Sequence, residues 1–116
     1  MWFETIPASE LDHFVTEERG IIIDLRPREE YALRHIRGAQ NLSYEELEQY
    51  LEQTAEQGGT VCLPLPKDEE LILYCERGAV SMAAARELAD LGYRVRSVVG
   101  GIRAYRGKYL VTGKSE

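Results

Sequence analysis

The sequence predicts a single α/β domain built on a mostly parallel central sheet of about five strands, flanked by helices on both faces. Three observations point there. Two short apolar runs, Ile21-Ile22-Ile23-Asp24-Leu25 and Leu71-Ile72-Leu73-Tyr74, have the length and character of strands buried on both faces. A helical pattern follows each, so that strand, helix and strand recur twice, which favours parallel pairing. At 116 residues and 44% hydrophobic content the chain is long enough for one real core and short for two.

The elements follow in order. Residues 2–6 suit a short strand, and Pro7-Ala8-Ser9 leads into a helix capped by Ser9, with Asp12 three residues later and Leu11, Phe14 and Val15 as its apolar stripe. After Gly20 the β-branched run at 21–25 is a central strand that delivers Asp24 to its end. Pro27 opens a brief helix through Leu33, and a turn at Gly38 precedes a short strand near 39–42. Ser43 and Glu46 have capping-box spacing and start a helix whose Leu47, Tyr50, Leu51 and Thr54 share one face.

Residues 55–70 change character, with Gly58, Gly59, Pro64 and Pro66 around an apolar group of Val61, Cys62, Leu63 and Leu65, and read as a surface excursion. Regular alternation then resumes. The strand at 71–74 is followed by a helix carrying Val80, Ala84, Leu88 and Leu91, a stop at Gly92, and a strand at 95–99. The domain on this reading spans residues 1–106, and residues 107–116 are a polar C-terminal tail with a frayed end.

A net charge of -6 argues against nucleic-acid and membrane partners, since both select positive surfaces. The start Met1-Trp2-Phe3-Glu4-Thr5 lacks a basic region and a long apolar stretch, so a cytoplasmic location is expected. Two cysteines, Cys62 and Cys75, are too few for a disulfide framework. No Cys/His cluster has metal-ligand spacing, so no metal and no cofactor are expected, and His13 and His35 read as ordinary surface or structural residues.

Cys75 is the residue most suited to chemistry. It leaves the strand at 71–74 at the C-terminal end, where open parallel sheets bind ligands, and Gly78 supplies the freedom for a sharp turn into the next helix. That helix would aim its unpaired N–H groups and positive dipole end at the sulfur, stabilising a thiolate. The competing reading is a small buried core cysteine.

Four segments then carry a resemblance. Ile23-Asp24-Leu25-Arg26 resembles a strand-end D-x-R signature, and His35-Ile36-Arg37-Gly38-Ala39-Gln40-Asn41 an H-I-x-G-A-x-N segment. Cys75-Glu76-Arg77-Gly78-Ala79-Val80-Ser81 resembles a six-residue active-site loop with its following serine, and Val99-Gly100-Gly101-Ile102-Arg103-Ala104-Tyr105 a closing G-G-x-x-x-W with Tyr105 in place of tryptophan. Together, in this order, they are similar to a single-domain rhodanese.

The resemblance implies a rhodanese-type sulfurtransferase or persulfide carrier. Cys75 would take sulfane sulfur from a small donor, thiosulfate or a persulfide, and pass it to a thiol, cyanide-like or protein acceptor. Glu76, Arg77, Gly78, Ala79, Val80 and Ser81 would form the substrate-binding loop, its N–H groups cradling the terminal sulfur. Asp24 and Arg26 are expected to support the site by tying neighbouring loops together, and Arg103 and Arg106 either line its mouth or form a solvated face.

The loop departs from the family's more efficient members. Glu76 offsets Arg77, and Val80 stands where arginine is common, which disfavours a dianionic donor such as thiosulfate. Two other functions compete. A rhodanese-like protein-binding or regulatory module with little turnover is one, although the presence of Cys75 counts against it. Phosphatase or arsenate chemistry is the other, but its C-x5-R signature needs arginine where this chain has Ser81.

Overall fold

The computed structural model describes residues 2–59 and 63–113. Five strands, β1 (Glu4–Pro7), β2 (Ile21–Asp24), β4 (Gln40–Asn41), β5 (Glu70–Tyr74) and β6 (Arg94–Val99), form one sheet in the order β1-β6-β5-β2-β4. Every pairing in it is parallel. A separate antiparallel pair joins β3 (His35–Ile36) to β7 (Leu110–Val111).

The central strand explains the layering. In β5, Leu71 and Leu73 face one side and Ile72 and Tyr74 the other, and all four are fully buried. Burying each such apolar side chain is worth roughly 1.5–3 kcal/mol, so no polar residue is tolerated there until the strand ends. On the Leu71 side, Ile23, Leu25 and Val95 pack with Leu47 of α3 (Tyr44–Glu56) and with Ala84, Ala85 and Leu88 of α4 (Ala79–Asp90). On the Ile72 side, Ile6, Ile22 and Val98 pack with Leu11 and Phe14 of α1 (Leu11–Thr16) and Tyr31 of α2 (Arg28–Leu33). The parallel sheet with helices on both faces is therefore as the sequence predicts.

Ser43 and Glu46 form the expected capping box, the Ser43 Oγ accepting from the Glu46 N–H while the Glu46 carboxylate accepts from the Ser43 N–H. Three local expectations are corrected. Ser9 caps nothing, because the chain enters α1 through a 3-10 turn at Ala8–Glu10 and has no extended residue at the cap position. Val80 is 39% exposed instead of lying on the sheet-facing stripe, which is Ser81, Ala84, Ala85, Leu88 and Ala89. Its neighbour Ser81 takes the inward position of the first turn, and Val80 lines a cleft beside Cys75.

The third correction is at the C-terminus, where Leu110–Val111, expected within a polar tail, pairs with His35–Ile36. Residues 114–116 lie outside the described residues, as do Val61 and Cys62 of the excursion. Leu65 folds back into the core, where its carbonyl accepts from the Tyr93 hydroxyl at 2.8 Å. Among the described residues no helix is long and apolar enough to cross a membrane.

Candidate active site

Cys75 is a free thiol, 4% exposed, placed immediately beyond the C-terminal end of β5. The chain reverses at Gly78, whose φ of 108° suits glycine, and enters α4. This folds two backbone N–H groups onto the sulfur, Gly78 at 3.1 Å and Ser81 at 3.3 Å from Sγ. A β-carbon on Gly78 would stand 2.9 Å from the Gly100 nitrogen, so glycine is needed for packing as well as for φ.

The loop is held from behind by the segment after β6. The Ile102 N–H donates to the Cys75 carbonyl at 2.9 Å and the Arg103 N–H to the Glu76 carbonyl at 3.2 Å. A β-carbon on Gly101 would fall 2.5 Å from both carbonyl oxygens, which accounts for the second glycine of the Gly100-Gly101 pair. From below, the buried Ser81 hydroxyl donates to the Gly78 carbonyl at 3.1 Å and meets the Ser97 hydroxyl at 2.9 Å.

Asp24 and Arg26 sit together at the end of β2. The guanidinium engages both carboxylate oxygens at 3.0–3.2 Å, and the Arg26 N–H also donates to Asp24 at 2.8 Å. Burial pushes the guanidinium down, but the hydrogen bonds and charge of Asp24 outweigh it and hold it above its ordinary value. Beneath the pair, burial pushes the Tyr74 hydroxyl far up, the Asp24 charge adding to it, so that it stays neutral and accepts from the Ile36 N–H at 3.0 Å. Asn41 closes the turn by donating to the Asp24 and Arg26 carbonyls.

Glu76 does not offset Arg77, which is exposed. Its carboxylate bridges Arg103 Nε at 2.9 Å and Arg26 Nη1 at 3.4 Å. The Arg103 hydrogen bond is the largest cause holding the Glu76 carboxyl below its ordinary range; Arg26 adds to it and partial burial opposes it. Arg106 turns away and donates to the Arg103 and Tyr105 carbonyls. Ala79 and Val80 form the outer lip of the loop, both exposed.

A cleft of about 670 Å³ opens between the ends of β2 and β5, its walls including Leu25, Arg26, Tyr44, Cys75, Glu76 and Val80. Glu29 and Glu30 from α2 and Glu45 and Glu46 from α3 line its outer part. No group of three or more His, Cys, Asp or Glu side chains among the described residues is placed to hold a metal ion.

Comparison with known proteins fits this geometry. The family model for the rhodanese-like domain matches residues 7–108. The chain belongs to the rhodanese-like domain family. It is 32% identical over 108 residues to the human thiosulfate:glutathione sulfurtransferase, covering 90% of this chain and 89% of that protein. It is 35% identical over 87 residues to the tRNA sulfurtransferase of Desulfurococcus amylolyticus, covering 75% of this chain but only 15% of the longer relative. A rhodanese-like domain protein from Staphylococcus aureus superposes with a TM-score of 0.74 at 22% identity, covering 95% and 98% of the two chains, a likeness of fold alone.

Within the rhodanese-like domain the remaining motifs are scaffolding. His35 is fully buried, stacks on Tyr31 with ring centroids 3.8 Å apart, and donates Nδ1–H to the Tyr31 carbonyl. His13 lies exposed on α1, away from the cleft. Tyr105, at the tryptophan position, is buried and donates to Asp12 at 2.6 Å while its hydroxyl accepts from the Tyr109 N–H at 2.9 Å, an acceptor role that indole could not fill. Sequence reasoning missed Ser97, whose only signal is a small polar residue beside Val98 and Val99 in a strand that also carries Arg94 and Arg96. It also read Tyr44, Glu45 and Glu46 as a helix start and nothing more, because only the fold brings them to the cleft.

Proposed function

We propose that this rhodanese-like domain transfers sulfane sulfur through a persulfide on Cys75. The observation that carries the reading is the pair of N–H groups from Gly78 and Ser81 on Sγ, at 3.1 and 3.3 Å, inside a loop whose turns are enforced by glycine. In the first half-reaction the Cys75 thiolate attacks the outer sulfur of a donor. A new S–S bond forms as the donor's S–S bond breaks, and the leaving group, sulfite or a thiolate, departs with the bonding pair. In the second, an acceptor thiolate or cyanide takes the outer sulfur and the Cys75 thiolate is restored.

The loop supports both halves by preorganised dipoles. Its N–H groups and the N-terminal end of α4 favour negative charge at the sulfur without side-chain rearrangement, an arrangement worth several kcal/mol at a developing anion (~2.7–4 for one donor in well-studied oxyanion sites). The cleft admits small donors and the reactive end of a protein acceptor alike. Phosphatase-type chemistry is disfavoured because Ser81 supplies a backbone N–H and a buried hydroxyl where an oxyanion clamp would need arginine.

Steady-state kinetics with thiosulfate and a thiol acceptor test the reading. A double-displacement pattern, with parallel reciprocal plots, is expected. Intersecting plots, or turnover that survives Cys75→Ser, would sink it.

A further inference from the structure

The Glu76 carboxylate lies between Arg26 Nη1 and Arg103 Nε, while Arg26 is engaged on its other edge by both oxygens of Asp24. Both guanidinium groups nearest the loop are therefore already matched by carboxylates of the same chain. Outside them the cleft presents Glu29, Glu30, Glu45 and Glu46, against a single further cation, Arg28. Its volume of about 670 Å³ accepts thiosulfate and a small organic persulfide equally well, so size does not choose between them. Charge does.

Resting on the sulfur-transfer reading above, we propose that Glu76 is a specificity-determining residue: by occupying Arg26 and Arg103 it withholds them from anionic donors, so the cleft loads Cys75 from persulfides of low net charge in preference to the thiosulfate dianion. Each unit of donor charge meets the negative cleft separately, so a dianion is opposed twice as strongly as a monoanion. A zwitterionic donor such as cysteine persulfide, with net charge of minus one, also places an ammonium among the glutamates. Its transfer is balanced without an oxidant or reductant. The Cys75 thiolate bonds to the outer sulfur, the donor's S–S bond breaks, and the cysteine thiolate leaves with the electron pair and is protonated by solvent.

The test compares the wild type with Glu76→Gln and Arg103→Gln. Single-turnover loading of Cys75 from thiosulfate and from cysteine persulfide is followed by quenched intact-mass measurement, and the ratio of the two rate constants is read. Removing the Glu76 charge frees Arg103 and the Nη1 edge of Arg26, whose other edge stays on Asp24, and should raise the thiosulfate-to-persulfide ratio roughly fivefold to tenfold, after allowance for solvent screening. Arg103→Gln should lower it, by about twofold or more, and added salt should shrink both shifts. Opposite shifts support the proposal. Ratios that stay constant, or that move in the same direction in both variants, would show that the Glu76 bridge only braces the loop. If Glu76→Gln does not fold, the sign of the Arg103→Gln shift decides. Loading of wild-type Cys75 by neither donor would overturn the sulfur-transfer reading itself, and this inference with it, whereas loading by both with unshifted ratios overturns only the inference.

Discussion

The hydroxyls of Ser81 and Ser97 meet at 2.9 Å in the fully buried space between α4 and β6. Ser81 also gives its backbone N–H to the Cys75 sulfur and its hydroxyl proton to the Gly78 carbonyl. With that proton committed, Ser97 is the donor between the two hydroxyls, and strand β6 fixes the turn that shapes the cradle.

Ser97→Ala should therefore weaken the site without emptying it. One net hydrogen bond is lost, about 0.5–1.5 kcal/mol of stability, and the Cys75 persulfide should decay a few-fold faster. Denaturant unfolding and persulfide lifetime check this, and a variant unchanged in both would remove Ser97 from the account.

Gly78 is the least replaceable residue of the loop. A side chain there is strained by the φ of 108° and collides with Gly100. Gly78→Ala should cost roughly 1–3 kcal/mol and abolish or sharply slow persulfide formation. Circular dichroism separates loss of the cradle from loss of the fold; native persulfide formation in a folded variant would contradict the geometry.

Breaking the Asp24–Arg26 pair leaves the buried guanidinium with only one carboxylate, the longer contact to the half-exposed Glu76 at 3.4 Å. Asp24→Asn should destabilise the domain by about 3–5 kcal/mol, and Asp24→Leu with Arg26→Met should recover much of that while still disordering the cleft. Thermal or chemical unfolding of the three proteins is the measurement. Equal destabilisation by the single and double changes would show that the pair's role is not electrostatic.

Alkaline pH should reveal Tyr105. Burial, with the hydrogen bond to Asp12 adding, pushes its hydroxyl up to about 12. The folded value lies above the unfolded value of about 10, so the contribution is complete below pH ~10 and is lost as pH rises through ~12. The stability difference between wild type and Tyr105→Phe should be constant to about pH 10 and shrink above it. A difference that does not change between pH 10 and 12 would refute the assignment.

What the sequence made legible was local. The apolar runs of β2 and β5, the Ser43–Glu46 box and the Gly78 turn each announce themselves within a few residues, because strand burial, capping and positive φ act at short range. Long-range pairings carried no such signal. Glu76 finds its partners 50 and 27 positions away, at Arg26 and Arg103, whereas composition alone paired it with its neighbour Arg77. The strands His35–Ile36 and Leu110–Val111 are two residues each, too short for any periodicity to show. Val80 fitted a helical stripe by spacing, yet in the first turn of the helix it is the neighbouring Ser81 that turns inward to meet Ser97, which leaves Val80 exposed at the cleft.

The central claim is that Cys75, and no other residue, carries the transferred sulfur. Incubating the protein with thiosulfate or cysteine persulfide, then weighing it intact and mapping the modified peptide, tests that most directly. The account predicts a gain of one sulfur atom, located on Cys75, reversed by a thiol or cyanide acceptor, absent from Cys75→Ser and retained in Cys62→Ser. A sulfur atom found on Cys62, or a gain that persists in Cys75→Ser, would contradict it.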